Sequence, residues 1–421
     1  MNRKTTDTIL GNGLRVVVVH APGVPLAELR LVLPYARTAP RLTPVRELLA
    51  GCLGTGTTAG DGSRQDIADR AADLGAELST VVTAESLVMA TSVLSAGLPG
   101  ALDLLADLLL RPAYRERELA LVRRRAAAVP RIPGPRQRLR RALLSHAFGS
   151  HPLVDPPLVD PPAGQSGEPG TGDLYDLHAR AVVPQGSVLL VMTRDAPDDV
   201  TALIQERLTD WTGGPSGLVL PRFVRRTPLP GRITVPAGPA PAGSAGQALV
   251  LTAGPAVPAT DPGHAPLHLA QLALGGYASS LLARRVRDRH GLAYAISAQI
   301  RGNRAGDWLE IECAGAPGTA ARIAEEITDC LRELAADGPT PQELDRARAY
   351  ATGFTRFALA TRTEEASALA GFAAAGLPLD WLATYRRALA EVTHAHVTEA
   401  AARFLHPSRT LIATLDDESD R

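Results

Sequence analysis

The beginning of the chain alternates short apolar runs with turn residues, a pattern typical of β-strands. Apolar positions in Thr8–Leu10 and Leu14–His20 flank Gly11-Asn12-Gly13, which predicts two strands joined by a hairpin-like turn. The alternating segment Ala27–Leu33 predicts another strand. The chain therefore opens as part of a sheet.

Helical periodicity follows this sheet. Thr43–Leu53 has Pro44 at its first helical position and Glu47 in its first turn, which favours a helix with Thr43 as N-cap. Leu98–Leu110 is strongly amphipathic and predicts another helix. Further helices are predicted at 64–74, 116–128, 173–181 and 200–211, and further strands within 77–94 and at 187–192.

The second half of the chain repeats the order of the first. Leu53-Gly54 and Leu274-Gly275 each follow an apolar helix, and Glu118-Leu119 and Glu343-Leu344 each open a helix after a Pro-containing break. The two offsets are 221 (275−54) and 225 (343−118), close to half of the 421 residues. A steady offset indicates a duplication. We predict an α+β fold of two homologous domains, each an antiparallel-rich β-sheet packed with α-helices.

Three Gly- and Pro-rich stretches mark the expected boundaries and loops. The stretch 214–230 predicts a linker between an N-terminal domain, 1–213, and a C-terminal domain, 231–421. The long loop His151–Gly172, which contains a small tandem repeat, is predicted to be mobile. A hairpin loop is predicted at Gly238–Gly246.

Composition excludes several classes of function. Acidic and basic residues balance at 44 each, so nothing indicates nucleic acid or an anionic membrane as partner. We find no apolar run of membrane length and no signal-peptide pattern. The three cysteines, at 52, 313 and 330, match no metal motif. These features predict a cytoplasmic protein that does not bind membranes.

The most informative stretch is Leu272–Ile300. It contains Leu274-Gly275-Gly276, which predicts a turn that needs the conformational freedom of glycine. A helix is predicted at Ser279–Arg289, with Ser279 or Ser280 as N-cap and His290-Gly291 as its end. A strand follows at Ala293–Gln299.

Arg287 and Tyr294 are the candidate functional residues of this stretch. A helix that reverses into a strand can aim both side chains at one point, and a guanidinium and a phenol together suit a peptide carbonyl or a developing oxyanion. Alternatively, Arg287 is one of several solvated arginines beside Arg284, Arg285 and Arg289, and Tyr294 is an ordinary strand residue. The spacing alone does not decide between these interpretations.

Several segments resemble the insulinase/pitrilysin metallopeptidase family, specifically the two-domain type of the mitochondrial processing peptidase subunits. The resemblance covers nearly the whole chain and rests on NGLRVVVV, LGGYASSLLARRVRDRHGLAYAISA and DGPTPQELDRARAY. It implies the processing-peptidase, LuxS-like metallohydrolase fold and an extended peptide as substrate.

The resemblance also shows what this chain lacks. Catalytic members carry H-x-x-E-H on a helix of the first domain, with two zinc-binding histidines, a general-base glutamate and a distant glutamate as third ligand. Glu47 and Gly51 stand at the histidine positions, Ala50 at the base position, and Ala127 near the third-ligand position. We therefore predict no metal in this chain and no zinc chemistry of its own.

The pair Arg287 and Tyr294 does match the family pattern, in which such a pair contacts the substrate backbone. Some members are heterodimers in which one subunit carries zinc and the other supplies the pair. The resemblance thus implies a non-catalytic subunit of a heterodimeric zinc metallopeptidase, with zinc in a paralogous partner and a peptide, such as a leader, as substrate. One alternative is a structural or peptide-binding scaffold without a protease partner. Another is an active peptidase with a rebuilt metal site.

Two histidine pairs were considered as ligands. His264 and His268 lie one helical turn apart, but no glutamate separates them and Pro266 interrupts the segment, so we interpret them as structural. His394 and His396 precede an apolar helix and are predicted to lie at its start, with Thr393 as cap.

Overall fold

A computed structural model describes residues 4–39, 42–128, 133–154, 168–222, 230–236, 246–357 and 359–416. It confirms the predicted α+β fold, with helices packed on two sheets. The chain forms two compact units. Unit 1 comprises Met1–Arg131, Pro157–Leu220 and Ala358–Leu379, and unit 2 comprises Ile132–Pro156, Pro221–Phe357 and Asp380–Arg421.

Unit 1 contains one mixed sheet. Its strands are β1 (Thr5–Ile9), β2 (Arg15–His20), β3 (Leu26–Pro34), β4 (Ser79–Val82), β5 (Ser86–Leu94) and β6 (Val188–Thr193). Their order in the sheet is β1-β2-β6-β3-β5-β4, with β2 and β6 parallel and the other neighbours antiparallel. The helices formed by the first half of the chain are α1 (Thr43–Cys52), α2 (Arg64–Asp73), α3 (Leu98–Leu110), α4 (Glu116–Ala127), α5 (Pro135–Phe148), α6 (Thr171–Ala181) and α7 (Pro197–Leu208).

Unit 2 contains a second mixed sheet of the same design. Its strands are β7 (Gly231–Pro236), β8 (Ala248–Pro255), β9 (Ala293–Asn303), β10 (Gly306–Gly315) and β11 (Leu411–Asp416). The helices of this half are α8 (His264–Gln271), α9 (Ala320–Asp337), α10 (Pro341–Phe357), α11 (Arg362–Ala374), α12 (Trp381–Glu391) and α13 (His394–Phe404), with a π-helical segment at Ala283–Arg289.

The two sheets share one topology. The order β7-β11-β8-β10-β9 repeats β2-β6-β3-β5-β4, and in both sheets the first pair is parallel and the others are antiparallel. Unit 1 adds only β1 at its edge. This correspondence agrees with the repeat predicted from the sequence offsets.

Each unit includes one helix from the other half of the chain. Helix α11 packs on β3 and β6, where Ala366, Ala370 and Ala373 join a buried cluster with valines of the unit 1 sheet. Helix α5 packs on β8 and β11 of unit 2. A simple division at residues 214–230 does not reproduce this exchange, because the contacts that hold these helices are remote in sequence.

A buried carboxylate of the sheet accepts hydrogen bonds from each exchanged helix. Under α11, the Glu28 carboxylate of β3 accepts hydrogen bonds from Arg30 at 2.8 Å and from the Thr363 hydroxyl at 3.0 Å. Under α5, the Glu310 carboxylate of β10 accepts two hydrogen bonds from Arg140, at 2.9 and 2.7 Å. Both carboxylates are almost fully buried, so each helix supplies polar partners that a buried charge requires.

Several predicted segments differ in the structure. The sequence reading assigned no element to α5. The first part of the predicted linker packs on unit 1, where the Ser216 hydroxyl donates to the Pro34 carbonyl oxygen at 3.0 Å and Leu218 is buried. Residues 155–167, 223–229 and 237–245 lie outside the described residues, and so do most of the predicted mobile loop, part of the linker and most of the predicted hairpin loop.

Among the described residues, no helix has both the length and the apolar content needed to cross a membrane.

Candidate functional site

Helix α1 lies where the resemblance would place the zinc motif. It begins after Leu42, whose backbone is already helical, and not after a capping Thr43 as predicted. Pro44 occupies the first turn, where the missing N–H of proline costs no helical hydrogen bond. The helix ends at Cys52, as the sequence pattern indicated within one residue.

Glu47, at the first histidine position, is held by its neighbour Arg46. The Arg46 guanidinium forms an ion pair with Glu47 at 2.6 Å and donates to the Tyr35 carbonyl oxygen at 2.8 Å and to the Thr83 carbonyl oxygen. It also lies over the Tyr35 ring, whose hydroxyl donates to the Arg46 carbonyl oxygen at 2.8 Å. Burial lowers the pKa of Arg46, but these acceptors and the carboxylate stabilise its charge. Glu47 therefore serves as a counter-ion.

Gly51, at the second histidine position, has no room for a side chain. A Cβ atom there would lie 2.7 Å from Cγ1 of Val122 on α4. Ala50, at the base position, is buried in the core of unit 1 beside Leu49. The helices α1 and α4 thus close directly on each other where an active member needs ligands and water.

Ala127, near the third-ligand position, is the last residue of α4 and is exposed. Within the described ranges, no three His, Cys, Asp or Glu residues group closely enough to hold a metal ion. The donor set around α1 does not fit catalytic zinc, which needs about three protein ligands and a base for its water.

The second candidate site begins where α8 ends. Leu272–Gly276 continues α8 as a π-helical turn, and neither Gly275 nor Gly276 has a positive φ, so the predicted need for glycine flexibility is wrong. A Cβ at Gly275 would lie 2.9 Å from the Ala298 Cβ, and one at Gly276 would lie 2.4 Å from the Leu272 Cδ2. Gly275 is required because the turn packs closely against β9, and Gly276 because side chains of the preceding helical turn fill the space beside it.

Arg287 lies in the following π-helical segment, Ala283–Arg289, which is preceded by a short α-helical turn at 281–282. Its Nε donates to Asp288 at 2.8 Å and its Nη2 to the Ala278 carbonyl oxygen at 2.7 Å. The hydrogen bond to Asp288 raises the pKa of Arg287, which is charged at any ordinary pH. Within the described residues Nη1 has no hydrogen-bond partner, so its two N–H groups remain open to a ligand.

Two neighbouring arginines have different surroundings. Arg284 pairs with Glu343 and donates to the Ser279 carbonyl oxygen at 2.7 Å. Arg285 pairs with Glu326, at 2.8 Å, and with Glu333, at 3.0 Å. These two residues connect the π-helical segment to α9 and α10, whereas Arg287 makes only the local contacts described above.

Tyr294 lies in a β-bulge at the start of β9. Ala293 pairs with Gly315 and Ala295 with Ala314, so Tyr294 is the extra residue between them. Gly315 permits this arrangement, since a Cβ there would lie 2.1 Å from the Leu292 carbonyl oxygen. A bulge redirects a side chain away from the regular alternation. Tyr294 is 68% exposed, and its hydroxyl makes one long hydrogen bond, 3.4 Å to Gln247.

Arg287 and Tyr294 are joined by a short reversal at Gly291. Gly291 has a φ of +62° and its N–H donates to the Arg287 carbonyl oxygen at 3.0 Å, so His290-Gly291 ends the helix as predicted. No hydrogen bond joins the two side chains in the part of the chain that is described. Arg287 has N–H groups without a partner among the described residues, and the exposed Tyr294 hydroxyl is held only by its long hydrogen bond to Gln247, which together suit recognition of a carbonyl group or an oxyanion.

The histidine pairs have structural contacts. The Nδ1 atoms of His264 and His268 lie 2.7 and 2.9 Å from the Tyr385 hydroxyl, and burial lowers the pKa of each histidine to about 4. His394 and His396 lie at the start of α13, as predicted. Thr393 caps it by accepting from the His396 N–H at 3.2 Å.

Comparison with known proteins gives one family match to part of the chain and several solved structures with the same fold. Residues 171–350 match the peptidase M16 inactive domain. The M16 match agrees with the insulinase/pitrilysin resemblance. It includes Arg287 and Tyr294 but not α1. No curated protein matches the chain significantly.

Three solved structures share the fold over nearly all of both chains. A peptidase M16 inactive domain from Pseudomonas fluorescens is 22% identical, with a TM-score of 0.82, and covers 99% of this chain and 98% of that one. A protease from Helicobacter pylori is 16% identical, with a TM-score of 0.84 and coverages of 99% and 100%. A conserved protein from Enterococcus faecalis is 15% identical, with a TM-score of 0.78 and coverages of 99%. At these identities the likeness establishes the fold alone.

Proposed function

We propose that this chain is the non-catalytic subunit of a heterodimeric zinc metallopeptidase that processes extended peptides. A paralogous partner supplies zinc and the general base. This chain supplies Arg287 and Tyr294, which bind the backbone of the substrate. The processing-peptidase type, the partner and the peptide substrate come from the family resemblance, and the exposed Arg287 and Tyr294 side chains support the substrate-binding role.

The observation that carries the proposal is the contrast among the arginines of one short helix. Arg284 and Arg285 are held in ion pairs with α9 and α10. Arg287, whose side chain is 41% exposed, keeps its Nη1 free of protein partners within the described residues. An arginine required only for folding would be expected to resemble its two neighbours.

The bulge at Tyr294 adds a second argument. A regular strand would alternate buried and exposed positions, yet Tyr294 and Ala295 are both exposed. The bulge removes one pair from the ladder between β9 and β10. That loss is expected where the tyrosine hydroxyl must face a ligand.

The two donors can act on a peptide carbonyl. The guanidinium and the phenol would orient the carbonyl and donate to its oxygen as negative charge develops in the transition state. Removing a donor of this kind typically raises the barrier by about 2.7–4 kcal/mol, or roughly 100- to 1000-fold in rate. Neither residue activates water, so this chain is predicted to have no peptidase activity alone.

The test compares peptide cleavage by this chain, by a paralogue with an intact H-x-x-E-H motif, and by their mixture. An internally quenched peptide library serves as the probe. We expect cleavage only in the mixture, with a roughly 100-fold or greater loss for Arg287→Ala. Arg289→Ala is the matched control, since Arg289 is an exposed arginine of the same segment, and it should retain activity.

The complex itself must be measured beside its activity. Analytical ultracentrifugation should show that Arg287→Ala and Tyr294→Phe still associate with the paralogue. If the paralogue cleaves equally well alone, or if the two chains do not associate, the subunit role is wrong and a scaffold without a protease partner becomes the better explanation.

A further inference from the structure

Three aromatic side chains of unit 2 form a row beside the Arg287 site. The Tyr277 and Tyr350 rings lie 5.5 Å apart, and the Tyr350 and Phe354 rings are stacked at 5.6 Å. Tyr277 directly precedes Ala278, whose carbonyl oxygen accepts the 2.7 Å hydrogen bond from Arg287. We name Tyr277, Tyr350 and Phe354 the aromatic row.

The aromatic row is unusual for this chain. Aromatic residues make up only 4% of the sequence, and most large ones should be buried. Tyr350 and Phe354 are nevertheless 38% and 55% exposed. Four large aromatic residues are exposed in the described parts of the chain, and three of them, Tyr294, Tyr350 and Phe354, belong to unit 2.

The fourth exposed aromatic residue shows what a structural role looks like. Tyr175 in unit 1 packs edge-on against Tyr114, and its hydroxyl accepts from the Tyr114 N–H at 3.1 Å. Tyr350 and Phe354 instead stack along one face of α10, with Tyr277 behind them. The Tyr277 hydroxyl is buried and has no hydrogen-bond partner among the described residues, which leaves a polar group ready for a ligand at the end of the row.

The charges near the row disfavour a basic ligand. Arg284 and Arg346 both act on the Tyr277 hydroxyl, and the one acidic group that does so, Glu343, is paired with Arg284. A lysine or arginine on the row would meet these positive charges and lose the benefit of cation–π contact. An aromatic or large aliphatic side chain meets no such repulsion, and stacking on exposed rings removes apolar surface from water.

We propose that the aromatic row recognises an aromatic or large aliphatic side chain of the peptide whose backbone Arg287 binds. This inference rests on the proposed function and names its substrate class: extended peptides with a bulky apolar residue near the bound carbonyl. The connection through Ala278 sets the spacing, because the same turn contacts Arg287 and positions Tyr277. Tyr350 and Phe354 are therefore specificity-determining residues.

The test measures binding of fluorescein-labelled peptides to the purified full chain by fluorescence anisotropy. The peptides are about twelve residues long and differ only in one central residue, which is Phe, Leu, Ala or Lys in a Gly/Ser/Thr background. We expect the Phe and Leu peptides to bind about tenfold more tightly than the Ala and Lys peptides.

Two sets of variants separate the aromatic row from Arg287. The double variant Tyr350→Ser/Phe354→Ser should remove the preference for Phe and leave binding of the Ala peptide unchanged. The conservative double variant Tyr350→Phe/Phe354→Leu should keep the preference. Arg287→Ala should weaken the binding of the Phe and Ala peptides by the same factor. All three positions are exposed, so circular dichroism should confirm unchanged folding.

Each other outcome overturns a defined part of the proposal. If the Phe and Ala peptides bind equally well and Arg287→Ala weakens the binding of both, recognition of an apolar side chain by the aromatic row is refuted. The proposed function is not affected by that result. A preference for Lys would likewise refute the apolar assignment. Unchanged affinity of both the Phe and the Ala peptide in Arg287→Ala would refute the backbone role of Arg287. Concentration-dependent dimerisation that the double Ser variant abolishes would show that a second copy of the chain covers the row.

Discussion

The two units of this chain share one sheet topology but differ in whether the polar side chains at the compared positions are buried or exposed. In unit 1, the polar residues at the zinc-motif position are consumed by the fold: Arg46 is buried and fully engaged, and Glu47 is its counter-ion. In unit 2, Arg287 and Tyr294 lie on an equivalent sheet-and-helix framework, but both side chains are exposed and Nη1 of Arg287 has no partner among the described residues. The comparison teaches that two copies of one framework can differ in packing, so that polar side chains are buried in one copy and exposed in the other.

The physical difference lies in what surrounds each position. Helix α1 packs directly on α4 at Gly51, which leaves no volume for a ligand. The corresponding part of unit 2 contains two π-helical segments and a bulged strand, which interrupt regular packing and turn side chains outward. Irregular backbone of this kind is enriched at functional sites.

The largest expected effect concerns Arg46. Arg46→Met removes the guanidinium that binds Glu47 and two backbone carbonyl groups, and we expect the free energy of unfolding to fall by about 3–5 kcal/mol, as for a broken buried pair. Urea titration followed by circular dichroism measures it. Arg124→Met, at an exposed arginine of α4, is the control and should change little. A loss below about 1 kcal/mol for Arg46→Met would show that α1 does not depend on this network.

A second prediction concerns acid stability through α8, which follows β8 as α1 follows β3. Burial holds the pKa of His264 and His268 at about 4, below the unfolded value of 6.5. The unfolded chain therefore binds protons first as the pH falls. The free energy of unfolding should be maximal above pH 6.5 and fall by about 1.4 kcal/mol per pH unit for each histidine down to pH 4.

Denaturant titrations at several pH values measure this slope. His268→Leu removes one titrating group, so its slope between pH 6.5 and 4 should be shallower than that of the unmodified chain. Tyr385→Phe removes the hydroxyl that contacts both histidines, and the same titrations show whether that hydroxyl contributes to the slope. An unchanged slope in His268→Leu would assign the acid sensitivity to other groups.

A third prediction tests whether unit 1 can regain a ligand. Gly51→His forces a side chain against Val122, and overpacking of this kind should lower the free energy of unfolding by about 1–3 kcal/mol. Adding Val122→Ala should restore part of that loss by making room. Thermal unfolding of the single and double variants measures both effects. Equal stability of the two variants would contradict the close packing of α1 on α4.

The smallest expected effect is on the stability of the Arg287 site. Arg287→Ala should leave the free energy of unfolding nearly unchanged, as for an exposed residue with local contacts only. Arg285→Ala is the matched comparison. It deprives the buried Glu326 carboxylate of a partner and should cost about 1–3 kcal/mol. Similar losses in both variants would remove the distinction on which the proposed function depends.

Local patterns predicted most of the regular elements. An apolar run behind a glycine-containing turn located β2, alternation located β3, and the amphipathic pattern gave α3 with its observed bounds. The offset of about half the chain indicated two copies of one topology, which the strand orders bear out. These successes share a cause: hydrophobic periodicity and turn residues act between near neighbours in sequence.

The missed features depend on distant contacts. Helix α5 and the exchange of α5 and α11 depend on Glu310 and Glu28, which are far from those helices in sequence. The π-helical turns and the bulge at Tyr294 were also missed, although Gly315 opposite the bulge was an available signal. The need for Gly275 was attributed to flexibility when the cause is close packing on Ala298.

The sequence by itself determined the fold class, the repeat, the replaced residues at the zinc-motif position and the pair Arg287 and Tyr294. Only the tertiary structure decided that Glu47 is a counter-ion and that Val122 occupies the space beside Gly51. It also decided that Arg287 keeps N–H groups without a partner among the described residues, whereas Arg284 and Arg285 are held in ion pairs. The reason is that periodicity reports which faces are buried, whereas the space and partners of a side chain depend on which distant segments fold against it.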